Sequence, residues 1–359
     1  MATSSSPIDR IRPQVRAEKQ YTVKAHPGIS CKLNQNESPF DVDDDLKQEI
    51  LDEMLSVPFN RYPEDQPAPL IEAVASSLGC SPDSILVGNG SNELTHTLGL
   101  SLIAGGQNVV LPKPMFALFA SVVRLFGGRL TSIPPRGDLS FDTDAIVEAI
   151  REEDPALTVI ATPNNPTGLE MTRDEVVAIL RAARGFVLVD EAYVEFGREP
   201  DALPLIEDYP NTIVMRTLSK GVGLAGLRVG FLVAHPDVIR ELLKARLPFM
   251  IGEFAQRAAI RLLQRPDYVR SRVAAMQQGT QALGRALTEL GVEHVPSSAN
   301  FIIFKSPIGS RELFERVAGS GVLIRDMSGY PELEGYVRVC VGTADENKAF
   351  LTALKTALC

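Results

Sequence analysis

The sequence predicts an α/β protein with a large domain whose mostly parallel sheet is covered by helices on both faces, a smaller α+β domain, and an N-terminal arm. Two observations carry this. Between about residues 85 and 240, short and nearly continuous apolar runs alternate with helical patterns, the mark of strands buried on both faces. After about 245 the alternation stops, and a long helical stretch is followed by two isolated strand-like runs. A chain of 359 residues is long enough to hold two cores.

In order along the chain, residues 1–45 read as the arm, because Pro7, Pro13, Pro27 and Pro39 interrupt any long helix. The large domain is expected over 46–245. Its strands are expected at the apolar runs 85–87, 108–111, 157–161, 186–189, 212–215 and 229–233. Thr172-Arg-Asp-Glu175 is a capping box ahead of the apolar segment 176–180 and predicts a helix start. The small domain is expected over 246–359, with a helical stretch over 254–290, a strand at 299–304, a helix near 310–320, a strand at 336–341 and a closing helix over 345–358. No internal repeat or low-complexity linker interrupts the sequence.

Composition narrows the function. Hydrophobic residues at 45 % and charged residues at 23 % are ordinary for a soluble globular protein. A formal charge of −9 argues against nucleic acid or an anionic membrane as the main partner. Any anion site must therefore be local, built from a few converging arginines. Cys31, Cys80, Cys340 and Cys359 form no C-x-x-C, and His26, His96, His235 and His294 are equally dispersed. That pattern suits a reducing cytosol and predicts neither a metal site nor a disulfide framework. The first residues lack an apolar targeting core, and no segment approaches about 18 apolar residues, so a cytoplasmic protein is expected.

The segment Arg216-Thr-Leu-Ser-Lys220, continuing to Arg228, is the most informative. A lysine placed where a strand meets glycine-rich loops can form a Schiff base with a carbonyl cofactor. Arg228, with Thr217 and Ser219, supplies a phosphate clamp for the same molecule. An aldehyde and a phosphate together suggest pyridoxal 5'-phosphate (PLP). The segment Gly221-Val-Gly-Leu-Ala-Gly226 also matches G-x-G-x-x-G, but that dinucleotide motif needs a helix after its first glycine. Here a strand-like run resumes at Leu227, and only Glu241 stands near the expected acidic position. The glycines instead let the backbone pass close beneath a cofactor.

Ligands of parallel α/β sheets bind beyond the carboxyl ends of the strands. Three more groups fall at such ends: Thr162-Pro-Asn-Asn165-Pro-Thr-Gly168, Asp190-Glu-Ala-Tyr193, and Gly88-Asn-Gly-Ser91-Asn92-Glu93. The last would turn a helix N-terminus toward an anion. Each also has an ordinary reading as a turn, a helix cap or a core residue. Their combination, in this order and these contexts, is what points to a site.

These segments resemble the fold-type-I PLP aminotransferases, and among them the histidinol-phosphate aminotransferases. The resemblance runs nearly end to end. It includes Arg12-Pro-Gln-Val-Arg-Ala with Tyr21, Leu33-Asn-Gln-Asn36-Glu-Ser-Pro39, Asn60-Arg-Tyr62-Pro63, Leu323-Ile-Arg325-Asp326 and Tyr336-Val-Arg338-Val-Cys-Val-Gly342. The resemblance implies that Lys220 holds PLP and moves a proton between the substrate Cα and the cofactor C4′. It implies that Asp190 pairs with the pyridinium nitrogen and that Asn165 and Tyr193 bond the ring oxygen. Ser91, Asn92, Thr217, Ser219 and Arg228 would hold the phosphate. Tyr62 would reach the cofactor of a neighbouring subunit, implying a homodimer with shared sites. Tyr21, Asn36, Arg325 and Arg338 would bind substrate.

The implied reaction converts L-histidinol phosphate and 2-oxoglutarate to imidazole acetol phosphate and L-glutamate, a step of histidine biosynthesis. An aromatic amino-acid aminotransferase would use Arg338 but need little from Arg325. A phosphothreonine decarboxylase and a catalytically idle PLP-domain regulator are further alternatives. The sequence departs from the family in two places. Phe116 and Phe119 stand where two tyrosines are common, and Phe119 is expected to stack on the pyridine ring, which needs only a π-face. Asn92 replaces a common aspartate.

Overall fold

The structure is a computed structural model that describes residues 6–20, 22 and 26–359. Its strands in chain order are β1 Cys31–Lys32, β2 Ile85–Gly88, β3 Asn108–Pro112, β4 Arg129–Ile133, β5 Leu157–Ala161, β6 Phe186–Asp190, β7 Thr212–Thr217, β8 Gly230–Ala234, β9 Phe301–Lys305, β10 Val322–Leu323, β11 Arg325–Asp326 and β12 Tyr336–Cys340. Strands β2 to β8 form one sheet of seven in the order β2-β8-β7-β6-β5-β3-β4. Neighbours in it are parallel except where β8 meets β2 and β7, so the expected mostly parallel sheet is present.

The exception has a local cause. A parallel return needs a crossover, usually a helix. Between β7 and β8 the chain forms only the short 3₁₀ turn Ala225–Leu227 and comes back antiparallel. The missing helix also removes the dinucleotide reading of residues 221–226.

Side-chain alternation splits the sheet's contacts between two cores. Val187 and Val189 face one, with Ile160, Val214 and Val233. Leu188 faces the other, with Val159, Ile213 and Leu232. Helices Asp44–Met54, Ala68–Leu78, Thr143–Glu153 and Arg173–Ala182 contribute to the first core. Gly90–Leu102, Ala117–Phe126 and Pro236–Leu242 contribute to the second. The Thr172 capping box forms as expected.

The smaller unit is an antiparallel sheet, β11-β12-β9, packed with helices Pro266–Glu289, Ser310–Gly319 and Ala344–Leu358 around Phe301, Phe304, Leu313 and Phe350. Three details differ from expectation. Strand β4 was not foreseen: it lies at the sheet edge, and its Arg-Leu-Thr-Ser-Ile sequence is buried only at Ile133. The stretch 254–290 is two helices, Glu253–Leu263 and Pro266–Glu289. Arg265 precedes a proline and takes φ −120°, ψ 61°, because the proline ring disfavours the helical region there.

The third difference concerns the parts at either end of the large domain. Helix Glu253–Leu263 was expected in the small domain, yet its Ala258, Ala259 and Leu262 belong to the core shared with Val87 and Leu70. Conversely, β1 from the arm pairs in parallel with β10, and Cys31 and Leu33 enter the small unit's core. The arm segment leading into Asn36 is thereby anchored on the small unit.

Candidate active site

Strands β5, β6 and β7 run in parallel and in register, so Ala161 and Met215 flank Asp190 at their carboxyl ends. The groups expected beyond those ends converge there. Behind them, buried Arg216 donates from Nε to Glu191 Oε2 at 2.8 Å, and its Nη2 lies 2.9 Å from an Asp201 oxygen. Glu191 Oε1 also accepts from the Ala202 amide at 2.6 Å. Breaking one side of such a buried pair costs about 3–5 kcal/mol, so this network fixes the spacing of β6 and β7 just where Asp190 and Thr217 leave the sheet. The Arg216–Glu191 pair joins residues 25 positions apart in two separate motifs and is not legible from either one.

An anion cup lies at the N-terminus of helix Gly90–Leu102. Gly90 has φ +75°, and a Cβ on it would sit 2.2 Å from Arg228 Nη2. A Cβ on Gly230 would sit 2.5 Å from the Ser91 amide nitrogen. Only glycine admits these approaches. Arg228 Nη1 donates to Ser219 Oγ at 3.2 Å, and Thr217 Oγ1 donates to the same oxygen at 2.9 Å. No carboxylate pairs with Arg228 among the described residues, so its charge is left for a bound anion. Asn92 is on the same first helical turn but is exposed, and its carbonyl oxygen contacts His96 Nδ1.

Lys220 Nζ donates to the carbonyls of Gln35 and Asn36 at 3.2 and 3.0 Å. Burial lowers its pKa to about 8, which raises the share of nucleophilic amine near neutrality. Tyr193 is buried; its hydroxyl accepts from Asn36 Nδ2 at 2.8 Å, and burial pushes its ionisation up. Asp190 has no ion-pair partner among the described residues; its Oδ1 accepts from the Ala192 amide at 3.0 Å. Burial raises its pKa to about 7. A buried carboxyl without a cation is costly, and Asp190 is therefore ready for a ligand that brings one.

On the opposite wall, Arg338 Nη1 donates to Asn165 Oδ1 at 2.6 Å, and Nη2 donates to the Asn34 carbonyl at 3.1 Å. Its guanidinium lies 5.2 Å from the Phe301 ring centre, and its buried Nε has no partner among the described residues. Arg325 stands directly opposite Arg338 in the β11–β12 ladder. It is half-buried and makes no hydrogen bond or ion pair among the described residues. The expected competitor for it, Asp326, is instead bonded to the Ser328 amide and hydroxyl.

Some expected site residues lie elsewhere. Phe119, expected to stack on the cofactor ring, is 3 % exposed and packs among Leu98, Val122, Val159 and Leu188 in the core beneath the sheet. Packing accounts for this: Phe119 lies inside the helix against the sheet, whereas half-buried Phe116, one turn earlier, is the N-cap of the same helix and meets Phe119 edge-on at 6.5 Å. Asn36, expected to bind substrate, has its amide engaged on both sides, with Tyr193 and with Cys340 Sγ. Tyr62 is 83 % exposed and stacks on Phe249 at 4.8 Å, away from the converging groups of this chain among the described residues. Tyr21 lies outside the described residues. Asn34, Asn300 and Cys340 were not foreseen as site residues; an asparagine directly ahead of the apolar run Phe301–Phe304 is the one sequence signal for Asn300.

A lysine beyond the carboxyl end of a central strand, an anion cup where Arg228 meets the start of helix Gly90–Leu102, and a buried aspartate with no ion-pair partner among the described residues define a cofactor-dependent enzyme of the α/β type. Comparison with known proteins makes that class specific. The aminotransferase class I and II family matches residues 29–354, and the chain belongs to this family. Among curated relatives, histidinol-phosphate aminotransferase of Chlorobaculum tepidum is 40 % identical over 346 residues, covering 96 % of this chain and 99 % of that protein. The enzyme of the same name from Chlorobium phaeovibrioides is 37 % identical over 345 residues, covering 96 % of each. Among solved structures, histidinol-phosphate aminotransferase of Sinorhizobium meliloti in complex with pyridoxal-5'-phosphate aligns with a TM-score of 0.88 at 26 % identity. That alignment covers 99 % of this chain and 98 % of the other.

Proposed function

We propose that this chain is a PLP-dependent aminotransferase that exchanges the amino group of L-histidinol phosphate with 2-oxoglutarate, giving imidazole acetol phosphate and L-glutamate in histidine biosynthesis. The names of its full-length relatives support this reading. The observation that carries it in this chain is the pair Arg325 and Arg338, side by side across a ladder without a counter-anion among the described residues. Like charges opposite each other on a sheet destabilise it, and an anionic substrate removes the cost. A phosphate-bearing amine and a dicarboxylic amino acid can both use two guanidiniums, whereas an aromatic amino acid brings one carboxylate.

The cup and the strand ends fit PLP. Ser91, Asn92, Thr217, Ser219 and Arg228 would hold its phosphate, Asp190 its ring nitrogen, and Asn165 and Tyr193 its ring oxygen. Phe116, in place of Phe119, is our candidate for the ring face. PLP supplies an aldehyde for the amine and a ring that absorbs the electrons left when the Cα proton departs. Lys220 Nζ takes that proton as general base. Arg338, already held on its Asn165 side, would orient the substrate, and Arg325 would join it around the phosphate of histidinol phosphate or the carboxylates of glutamate.

We assign Tyr62 to the site of a second copy, in a homodimer. The exposed apolar cluster of Leu55, Phe59, Tyr62 and Phe249 supports a covered face. Four free cysteines agree with the cytoplasm as the expected compartment, and among the described residues no helix is long and apolar enough to cross a membrane.

Arg325→Ala tests the substrate assignment. Losing a charge-assisted contact lowers kcat/KM for histidinol phosphate about 10- to 100-fold and that for phenylalanine less than about threefold. Equal losses on the two substrates would remove Arg325 from the phosphate site.

A further inference from the structure

We propose that Cys340 is a positioning residue for Tyr193, acting through the Asn36 amide. The inference rests on the PLP reading above and adds to it a residue outside the expected site. Cys340 and Arg338 are two apart on β12, so their side chains share one face of the strand. Cys340 is 2 % exposed. Its sulfur accepts from the Asn36 backbone amide at 2.8 Å, and its S–H donates to Asn36 Oδ1 at 3.1 Å. With the sulfur's acceptor side taken, the thiol hydrogen is left for Oδ1.

That contact decides which way the amide faces. Oδ1 turns to the thiol, and Nδ2 donates to the Tyr193 hydroxyl at 2.8 Å. Tyr193 is therefore an acceptor toward Asn36, and its own proton stays free to point outward. In the reverse orientation Oδ1 would take the phenol proton, and the hydroxyl could no longer give it to the ring oxygen of PLP. The backbone reinforces the arrangement. Asn36 adopts φ +54°, a conformation that asparagine tolerates better than most residues. Its carbonyl accepts from both Lys220 Nζ and Asn300 Nδ2, at 3.0 and 3.2 Å. Arg338, Lys220, Asp190 and Glu37 are the charged groups whose fields reach Tyr193 or Cys340.

A phenol that donates to the ring oxygen weakens that oxygen's hold on the neighbouring proton. Loss of the donation therefore raises the pH midpoint of the chromophore in the PLP-loaded protein. The experiment is a spectral pH titration of the loaded parent, Cys340→Ala and Cys340→Ser, with kcat and KM for histidinol phosphate and a thermal melt for each. For Cys340→Ala we expect the midpoint to rise by about half a pH unit or more. Its kcat should fall about three- to tenfold, at the scale of one hydrogen bond, with KM nearly constant. Cys340→Ser keeps a donor for Oδ1 and should restore both values.

An unchanged midpoint in Cys340→Ala overturns the proposal. So does an equal shift in both variants, because a role in packing alone would then explain the change. A parent protein that takes up no PLP would fail the cofactor reading itself and this inference with it, an outcome distinct from a loaded parent with unresponsive variants.

Discussion

Lys220→Ala is expected to lower transamination at least about 10⁴-fold, because the variant loses both the covalent anchor and the general base. The variant should still collect PLP in the cup formed by Arg228, Ser219, Thr217 and the helix beginning at Gly90, but release it on dialysis. Parent protein keeps its colour under the same treatment. The neighbourhood argues that the lysine is there for its amine. It is held by two backbone carbonyls and, among the described residues, by no carboxylate, and burial lowers its pKa to about 8. PLP uptake by the empty parent should accordingly speed up as pH rises through about 8 and level off above, since the attacking form is the neutral amine. Full activity in Lys220→Ala would remove this residue from the chemistry.

Asp190→Asn is the second large effect. The amide keeps the shape of the group but removes the anion that would hold the ring nitrogen protonated, and kcat should fall about 10²- to 10³-fold. The same substitution should stabilise the empty protein above neutral pH. Burial raises Asp190 from 3.8 to about 7. Between those values the unfolded chain has released its proton and the folded chain still holds it, so stability falls as pH rises across the window. Asparagine has no proton to release, and the loss disappears. A thermal melt at pH 8 in which Asp190→Asn is less stable than the empty parent, with activity retained, would contradict the role given to this residue. Such a stability cost at a functional group is the usual trade between activity and stability.

Much of this site was legible in the sequence for a physical reason. Lys220, Asp190, Asn165 and the Gly88–Glu93 segment each follow an apolar run, and parallel strands gather their carboxyl ends on one edge. Register then brought them together without any further information. What was not legible depends on contacts between distant segments. Phe119 and Phe116 are both aromatic and one helical turn apart, and only packing against Val159 and Leu188 reveals which one is core. The engagement of Asn36 by Cys340 joins residues 304 positions apart, which no local pattern encodes. Helix Glu253–Leu263 shows the same limit at the scale of domains, since its apolar face does not announce which core it will enter.

The central claim is that a PLP enzyme built on this chain takes its amino group from histidinol phosphate. The most direct measurement is the half-reaction of the PLP-loaded protein with L-histidinol phosphate, L-phenylalanine and L-threonine phosphate in turn, followed by stopped-flow absorbance to the pyridoxamine form. The account predicts that histidinol phosphate is fastest by a wide margin, because it offers Arg325 and Arg338 a phosphate that phenylalanine lacks and, unlike threonine phosphate, brings no carboxylate to compete for the same guanidiniums. Equal rates with phenylalanine would contradict it and leave a broad or aromatic aminotransferase on the same fold.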